Sequence, residues 1–252
     1  MTKVVICGAL GRMGTTIAGL LQDADGLEFV GGVDIKGGES FGKPVVTAAE
    51  IDAFLERVQP DVMIDFTIAS AAVENIRAAT RHGVALVVGT TGFSPAQMEE
   101  VTAAIEGSVP AVISSNFSVG MNIFWKLVRE AARRLGDYDI EVIEAHHRYK
   151  KDAPSGTAKT ILNIIEEEAG VREKLYGREG ITERADEIGV HVVRGGDIVG
   201  DHTVLFAANH ETIELSHRAY DRAVFAHGVI RAAQYVGGKA PGIYSMDDVL
   251  SL

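Results

Sequence analysis

The densest concentration of groups able to do chemistry runs from residue 144 to residue 158, Glu-Ala-His-His-Arg-Tyr-Lys-Lys-Asp-Ala-Pro-Ser-Gly-Thr-Ala. Within it His146, His147, Arg148, Lys150 and Lys151 can all carry positive charge. The chain around them has 24 Lys and Arg against 35 Asp and Glu, a net charge of −11. So local a reversal of sign suits an anionic substrate. Ser155 then has the form of a helix N-cap, and the backbone of Gly156 and Thr157 would open a helix at which a carboxylate can sit. A histidine and a lysine so placed can deliver a proton to a reacting centre. The same run could also be a solvated basic loop with an ordinary cap.

A second constellation lies near the start, Gly8-Ala9-Leu10-Gly11-Arg12-Met13-Gly14, between an apolar run and a helical pattern. Glycines there let the backbone turn sharply and approach a pyrophosphate, which rests on the helix N-terminus. The pattern is G-x-x-G-x-x-G rather than G-x-G-x-x-G, so its context matters. Asp34 follows Gly14 by 20 residues, where a carboxylate can bond an adenosine ribose. That carboxylate repels the 2′-phosphate of NADPH, whereas Lys36 and Arg12 would welcome it, so both NADH and NADPH are expected as cofactors. Lys36 could equally be an exposed loop lysine. Three further polar loops, Asp65-Phe66-Thr67, Gly89-Thr90-Thr91-Gly92-Phe93 and Ser114-Ser115-Asn116-Phe117, follow apolar runs. In doubly wound sheets that is where ligands lie.

These groups need elements to hold them. Residues 3–7, 29–33, 62–66, 84–88 and 111–114 read as buried strands, and 13–22, 70–81 and 95–105 as helices. Short Val/Ile/Leu runs alternating with helical patterns give an α/β fold, a Rossmann-type doubly wound parallel sheet. After Asn116 the texture changes. Residues 121–135 repeat at helical spacing, 140–145 read as a strand, 157–169 as a helix and 172–186 as a polar connection. Residues 190–194, 202–209 and 212–218 then resemble successive antiparallel strands, with Gly195-Gly196 and Asn209-His210 as turns. This gives a second α+β domain with an open mixed sheet. A helix over 223–236 could return the chain to the first domain. Residues 1–117 with 227–252 are expected to bind the dinucleotide, and 118–226 to bind substrate and mediate oligomerisation.

Composition excludes several classes. Apolar residues make up 46% and charged residues 23%, typical of a chain that folds. No apolar stretch approaches the roughly 18 residues of a membrane span, and apolar sequence begins at Val4 with no signal peptide before it, so the expected location is cytoplasmic. The acidic balance argues against nucleic acid and anionic membrane as partners. The single cysteine, Cys7, excludes an intrachain disulfide and sits in the first strand, away from any aldehyde dehydrogenase role. None of the eight histidines has a metal-ligand spacing. His146 and His147, adjacent on a strand, should point to opposite faces, and no metal is expected.

The N-terminal Gly-x-x-Gly-Arg-Met-Gly, Gly89-Thr90-Thr91-Gly92, Asn116-Phe117-Ser118-Val119-Gly120 and above all Glu144-Ala145-His146-His147 leading to Lys150 and Ser155-Gly156-Thr157-Ala158 resemble the 4-hydroxy-tetrahydrodipicolinate reductases of lysine synthesis. The likeness spans nearly the whole chain, including Gly195-Gly196-Asp197 and Gly200-Asp201-His202. It implies NAD(P)H-dependent reduction of a small cyclic dicarboxylate, His146 as general acid/base and Lys150 as partner proton donor. It implies too that His147, Gly156 and Thr157 bind substrate, that the C-terminal helix completes the first domain, and that the protein is a homotetramer built through its open sheets. Tyr149 stands where many family members have a third histidine. Independently of the resemblance, hydride delivery to a conjugated imine leaves negative charge that a nearby acid must quench, and closure of one domain onto the other would exclude water. A two-domain semialdehyde dehydrogenase and a non-catalytic dinucleotide sensor are the competing readings; the first lacks its cysteine, and the His146 and Lys150 pair speaks against the second.

Overall fold

The computed structural model describes all residues, 1–252, and divides them into two compact units, Met1–Val119 with Ala223–Leu252, and Gly120–Arg222.

The first unit is an eight-stranded sheet. Its strands are β1 (Thr2–Cys7), β2 (Leu27–Asp34), β3 (Gly38–Ser40), β4 (Lys43–Thr47), β5 (Val62–Asp65), β6 (Ala85–Val88), β7 (Pro110–Ile113) and β13 (Gly242–Tyr244). They lie in the order β13-β7-β6-β5-β1-β2-β4-β3, all parallel except the β3–β4 edge pair. β1 is flanked by β2 and β5, so the winding reverses there, and in such sheets the crevice at the carboxyl ends of the reversing strands receives ligands. Alternate side chains of β1 enter different cores. Val4 and Ile6 join one layered by α1 (Arg12–Leu21), α7 (Ala223–Val236) and α8 (Met246–Leu250). Val5 and Cys7 join another, under α2 (Ile51–Val58), α3 (Ala69–Arg81) and α4 (Pro95–Ile105). Ser94 caps α4 reciprocally with Gln97, ahead of Pro95, a start signal written in the local sequence. The strands and helix between Ile35 and Asp61, and β13 with α8, lack the long apolar periods that reveal the other elements.

The second unit holds α5 (Val119–Arg134), all but its first residue, with β8 (Asp139–His146), α6 (Gly156–Ala169), β9 (Glu173–Tyr176), β10 (Glu187–Arg194), β11 (Gly200–Ala207) and β12 (Thr212–Ala219). Its sheet runs β12-β11-β8-β10-β9. Here the expectation of successive antiparallel strands holds for β11 and β12, which pair antiparallel, and is corrected for β10. β8 lies between β10 and β11, paired parallel with the first and antiparallel with the second, so Gly195-Gly196 is a crossover rather than a hairpin turn. The polar stretch 172–186 also contains a strand, β9, parallel to β10. α5 and α6 cover one sheet face, with Phe124, Val128, Ile161 and Ile165 packed on Ile140, Val142, Val190 and Phe206. Residues of opposite parity point to the other face; there Ile143 is 39% and Val193 47% exposed.

Candidate active site

In the second unit the site grows from the end of β8. Inward parity carries Glu144 and His146 to the helix-covered side of the sheet, and both are buried, Glu144 at 0% exposure. The Glu144 carboxylate is the hub. Oε2 stands 2.5 Å from His146 Nδ1 and accepts from Arg194 Nη1 at 2.8 Å. Oε1 accepts from Arg194 Nη2 at 2.9 Å and from the Ser155 backbone N–H at 2.9 Å. Arg194 closes β10, and its pairing beside β8 puts it level with His146. Burial alone would raise the Glu144 pKa, but the hydrogen bonds from His146, Arg194 and Ser155 outweigh it and hold the carboxyl down to about 2. A carboxylate on Nδ1 fixes the imidazole's orientation and leaves Nε2 as its working atom. Gly200 of β11 keeps that atom clear, since a Cβ there would stand 3.1 Å from Nε2.

The Lys150 ammonium pairs with Asp152 Oδ1 at 3.0 Å, and the Asp152 carbonyl accepts from Arg194 Nη2 at 2.6 Å. Lys150 is thereby tied to the His146 hub through Asp152 and Arg194. Burial pushes the Asp152 carboxyl up, and its bond to Lys150 more than offsets this, leaving it below its ordinary range. The Gly195 N–H bonds the His146 carbonyl, and the Arg148 N–H bonds that of Gly196, which holds the basic loop onto the crossover. Ser155 caps α6, its hydroxyl accepting from Ala158 N–H, so Gly156 and Thr157 are the helix's first two residues. His202 lies with its ring edge-on to His146, centroids 5.1 Å apart, and its Nε2 is 3.3 Å from Ser155 Oγ. Burial, then the neighbouring charge of His146, pushes its pKa down to about 3, so it is neutral at physiological pH. His147 lies against Tyr149, ring centroids 6.3 Å apart. The sequence does not single out Glu144, Arg194 and His202 as site residues, because their partners lie up to 56 residues away, though Glu144 stands at the head of the basic run.

In the first unit, Gly8, Leu10, Gly11 and Asp34 line a cavity of about 410 Å³ together with Ile35, Phe66, Thr67, Ile68, Ala71 and Asn75. Gly8 has φ +79°, and a Cβ there would stand 2.6 Å from the Phe66 carbonyl; at Gly14 it would stand 2.1 Å from the Gly8 carbonyl. Only glycine permits this cradle. Asp34 Oδ2 accepts from Leu10 N–H at 2.8 Å and Oδ1 from Ile35 N–H at 2.7 Å, which locks the acid against the glycine-rich loop. Arg12 and Lys36 are exposed and lie outside the lining. Ala9 is buried beside Gly32, and Met13 packs on the core. The other named loops are less open. Gly89 abuts the Phe66 ring, Thr90 is buried on Asp65, and Thr91 is exposed. The Ser114 hydroxyl bonds the Asn116 carbonyl, Asn116 Oδ1 accepts from Ser118 N–H, and Ser115 is exposed. Phe117 is core, packed on Phe66 at 5.9 Å between centroids.

Residues 2–117 match the family described as dihydrodipicolinate reductase, N-terminus, and residues 120–250 its C-terminus. The chain belongs to the dihydrodipicolinate reductase family. A 4-hydroxy-tetrahydrodipicolinate reductase of Methanoculleus marisnigri is 70% identical over 252 residues, covering all of both chains, and that of Methanocaldococcus jannaschii is 48% identical, covering all of this chain and 98% of its own. A dipicolinate-bound dihydrodipicolinate reductase from Paenisporosarcina sp. TG-14 superposes with a TM-score of 0.81 at 26% identity, covering 97% of each chain. The fold is shared more widely, as with the NAD complex of GenD2 from gentamicin biosynthesis, TM-score 0.63 at 14% identity. The family's members are NAD(P)H-dependent oxidoreductases of the diaminopimelate and lysine pathway, and this chain is one of them. It uses a nicotinamide cofactor, and no helix is long and apolar enough to cross a membrane.

Proposed function

We propose that His146 is the general acid of this enzyme, oriented by Glu144, in the reduction of 4-hydroxy-tetrahydrodipicolinate to tetrahydrodipicolinate. The observation that carries the proposal is the buried Glu144 carboxylate with His146 Nδ1 at 2.5 Å and a two-pronged Arg194 on its other side. Water leaves the 4-hydroxy position, and the reduced nicotinamide, when bound, supplies a hydride to the resulting conjugated imine. The electron pair displaced by that hydride takes up a proton, and Nε2 of His146 is the donor. Lys150 exchanges Asp152 for a substrate carboxylate and so places its charge beside the same centre. His147 and the α6 N-terminus at Gly156-Thr157 receive the other carboxylate. His202, neutral beside His146, keeps the ring in place without competing for the proton.

The cradle of Gly8, Gly11 and Gly14 suits a pyrophosphate, and Asp34 an adenosine ribose, with Ile35 and Ile68 offering apolar walls to the base. Asp34 favours NADH. Lys36 and Arg12, on flexible exposed arms, offset its repulsion of a 2′-phosphate, so NADPH is accepted as well. The open face of the second unit's sheet, with Ile143 and Val193 exposed, is the surface through which four copies assemble, and the enzyme works in the cytoplasm. Oxidation of each reduced cofactor with freshly generated 4-hydroxy-tetrahydrodipicolinate tests the reaction; no turnover with either cofactor would overturn it. Light scattering of the purified protein tests the tetramer, and a monomer mass would refute it.

A further inference from the structure

Asp65 ends β5 with its side chain fully buried. Its Oδ1 accepts from Thr67 N–H at 3.1 Å, Thr67 Oγ1 at 2.8 Å and Thr90 Oγ1 at 2.6 Å, and its Oδ2 accepts from Asn75 Nδ2 at 2.8 Å. Thr90 Oγ1 in turn accepts from the Thr67 N–H at 2.8 Å. Every partner is a neutral donor, and together they replace the water that the acid has lost. One acid therefore ties the end of β5, the first turns of α3 and the loop after β6. The segment it ties is the one facing the cofactor cavity. Phe66 presses its carbonyl toward Gly8 and its ring onto Gly89, while Thr67 and Asn75 line the cavity wall. The Thr90 hydroxyl, its proton committed to Asp65, faces inward.

We propose that Asp65 is a positioning residue for the nicotinamide cofactor. It touches no ligand. It holds loop 66–68 and the start of loop 89–92 at a fixed spacing from the glycine-rich loop, so that the cofactor meets a wall already formed and does not spend binding energy ordering it. This role for Asp65 rests on the cavity being the cofactor site, and the experiment separates the two.

NADH binding to the purified enzyme, followed by the nucleotide's own fluorescence, is compared for Asp65→Ala, Asp65→Asn, Thr90→Val and Asp34→Ala, with thermal unfolding recorded for each. Losing bonds to a charged acceptor should weaken NADH about tenfold or more in Asp65→Ala and to a smaller extent in Thr90→Val. Asp65→Asn, in which the Asn75 amide can turn over to accept a bond, should recover most of that loss. In kinetics the change should fall on the cofactor KM rather than on kcat or the substrate KM. If Asp65→Ala does not fold, Thr90→Val decides. NADH affinity in Thr90→Val within about twofold of wild type, or a loss that falls on substrate KM, overturns the proposal. Unchanged NADH affinity in Asp34→Ala would instead show that the cavity is not the cofactor site.

Discussion

Replacing Glu144 by Gln keeps the shape of the side chain and removes the charge on which His146, Arg194 and Ser155 converge. Two effects follow, and both can be sized. The folded protein holds the Glu144 carboxyl at about 2 against an ordinary 4.5, and at about 1.4 kcal/mol per unit that difference is worth about 3 kcal/mol of stability near neutral pH. Because the folded pKa is the lower one, this contribution is complete above about pH 4.5 and drains away as pH falls toward 2. Urea unfolding of wild type and Glu144→Gln should therefore differ most at neutral pH and converge in acid. The second effect is on rate. Gln can turn its amide toward Nδ1 and offer the wrong partner, so the imidazole loses both its fixed orientation and the charge that stabilises its cationic form; turnover should fall about a hundredfold to ten-thousandfold. The assay is the loss of reduced-nicotinamide absorbance at saturating cofactor and substrate. A variant that folds and turns over within about threefold of wild type would remove Glu144 from the mechanism, since general acid catalysis typically supplies far more than that. A stability gap that persists unchanged into acid would refute the electrostatic reading of the hub.

Three further outcomes are expected. His146→Gln should lose about a hundredfold or more in turnover with little change in substrate KM, because an acid acts chiefly in the transition state; steady-state kinetics within about threefold of wild type would displace it from its role. Lys150→Ala should reduce turnover and substrate affinity together, since on this reading its charge both holds a substrate carboxylate and stands beside the reacting centre; unchanged kinetics would make the basic loop a solvated surface. Lys36→Ala should raise the KM for NADPH about tenfold to a hundredfold while sparing NADH, as expected for a lost charge-assisted contact to a 2′-phosphate; an equal response to both cofactors, or no use of NADPH by the wild type, would leave Asp34 alone in control.

Much of this was already written in the sequence. The glycine-rich turn, the capped starts of α4 and α6, the doubly wound alternation and the basic run at 146–151 depend on contacts between near neighbours, and near neighbours are what periodicity and spacing report. The carboxyl-terminal edge that gathers Asp34, Phe66 and Gly89 follows from parallel strands alone. The insertion of β8 between β10 and β11 could not be read the same way. Strand adjacency is set by which apolar face covers which, and residues 190–207 look alike whether they form a hairpin or flank a third strand. The buried Glu144 hub shares that dependence. Glu144 is one acid among 35 until the parallel register of β8 with β10 brings Arg194 level with His146 and the turn before α6 delivers Ser155. Side chains that act alone or on their neighbours are legible along the chain, whereas a buried charge acquires its partners, and with them its chemistry, only when distant strands close around it.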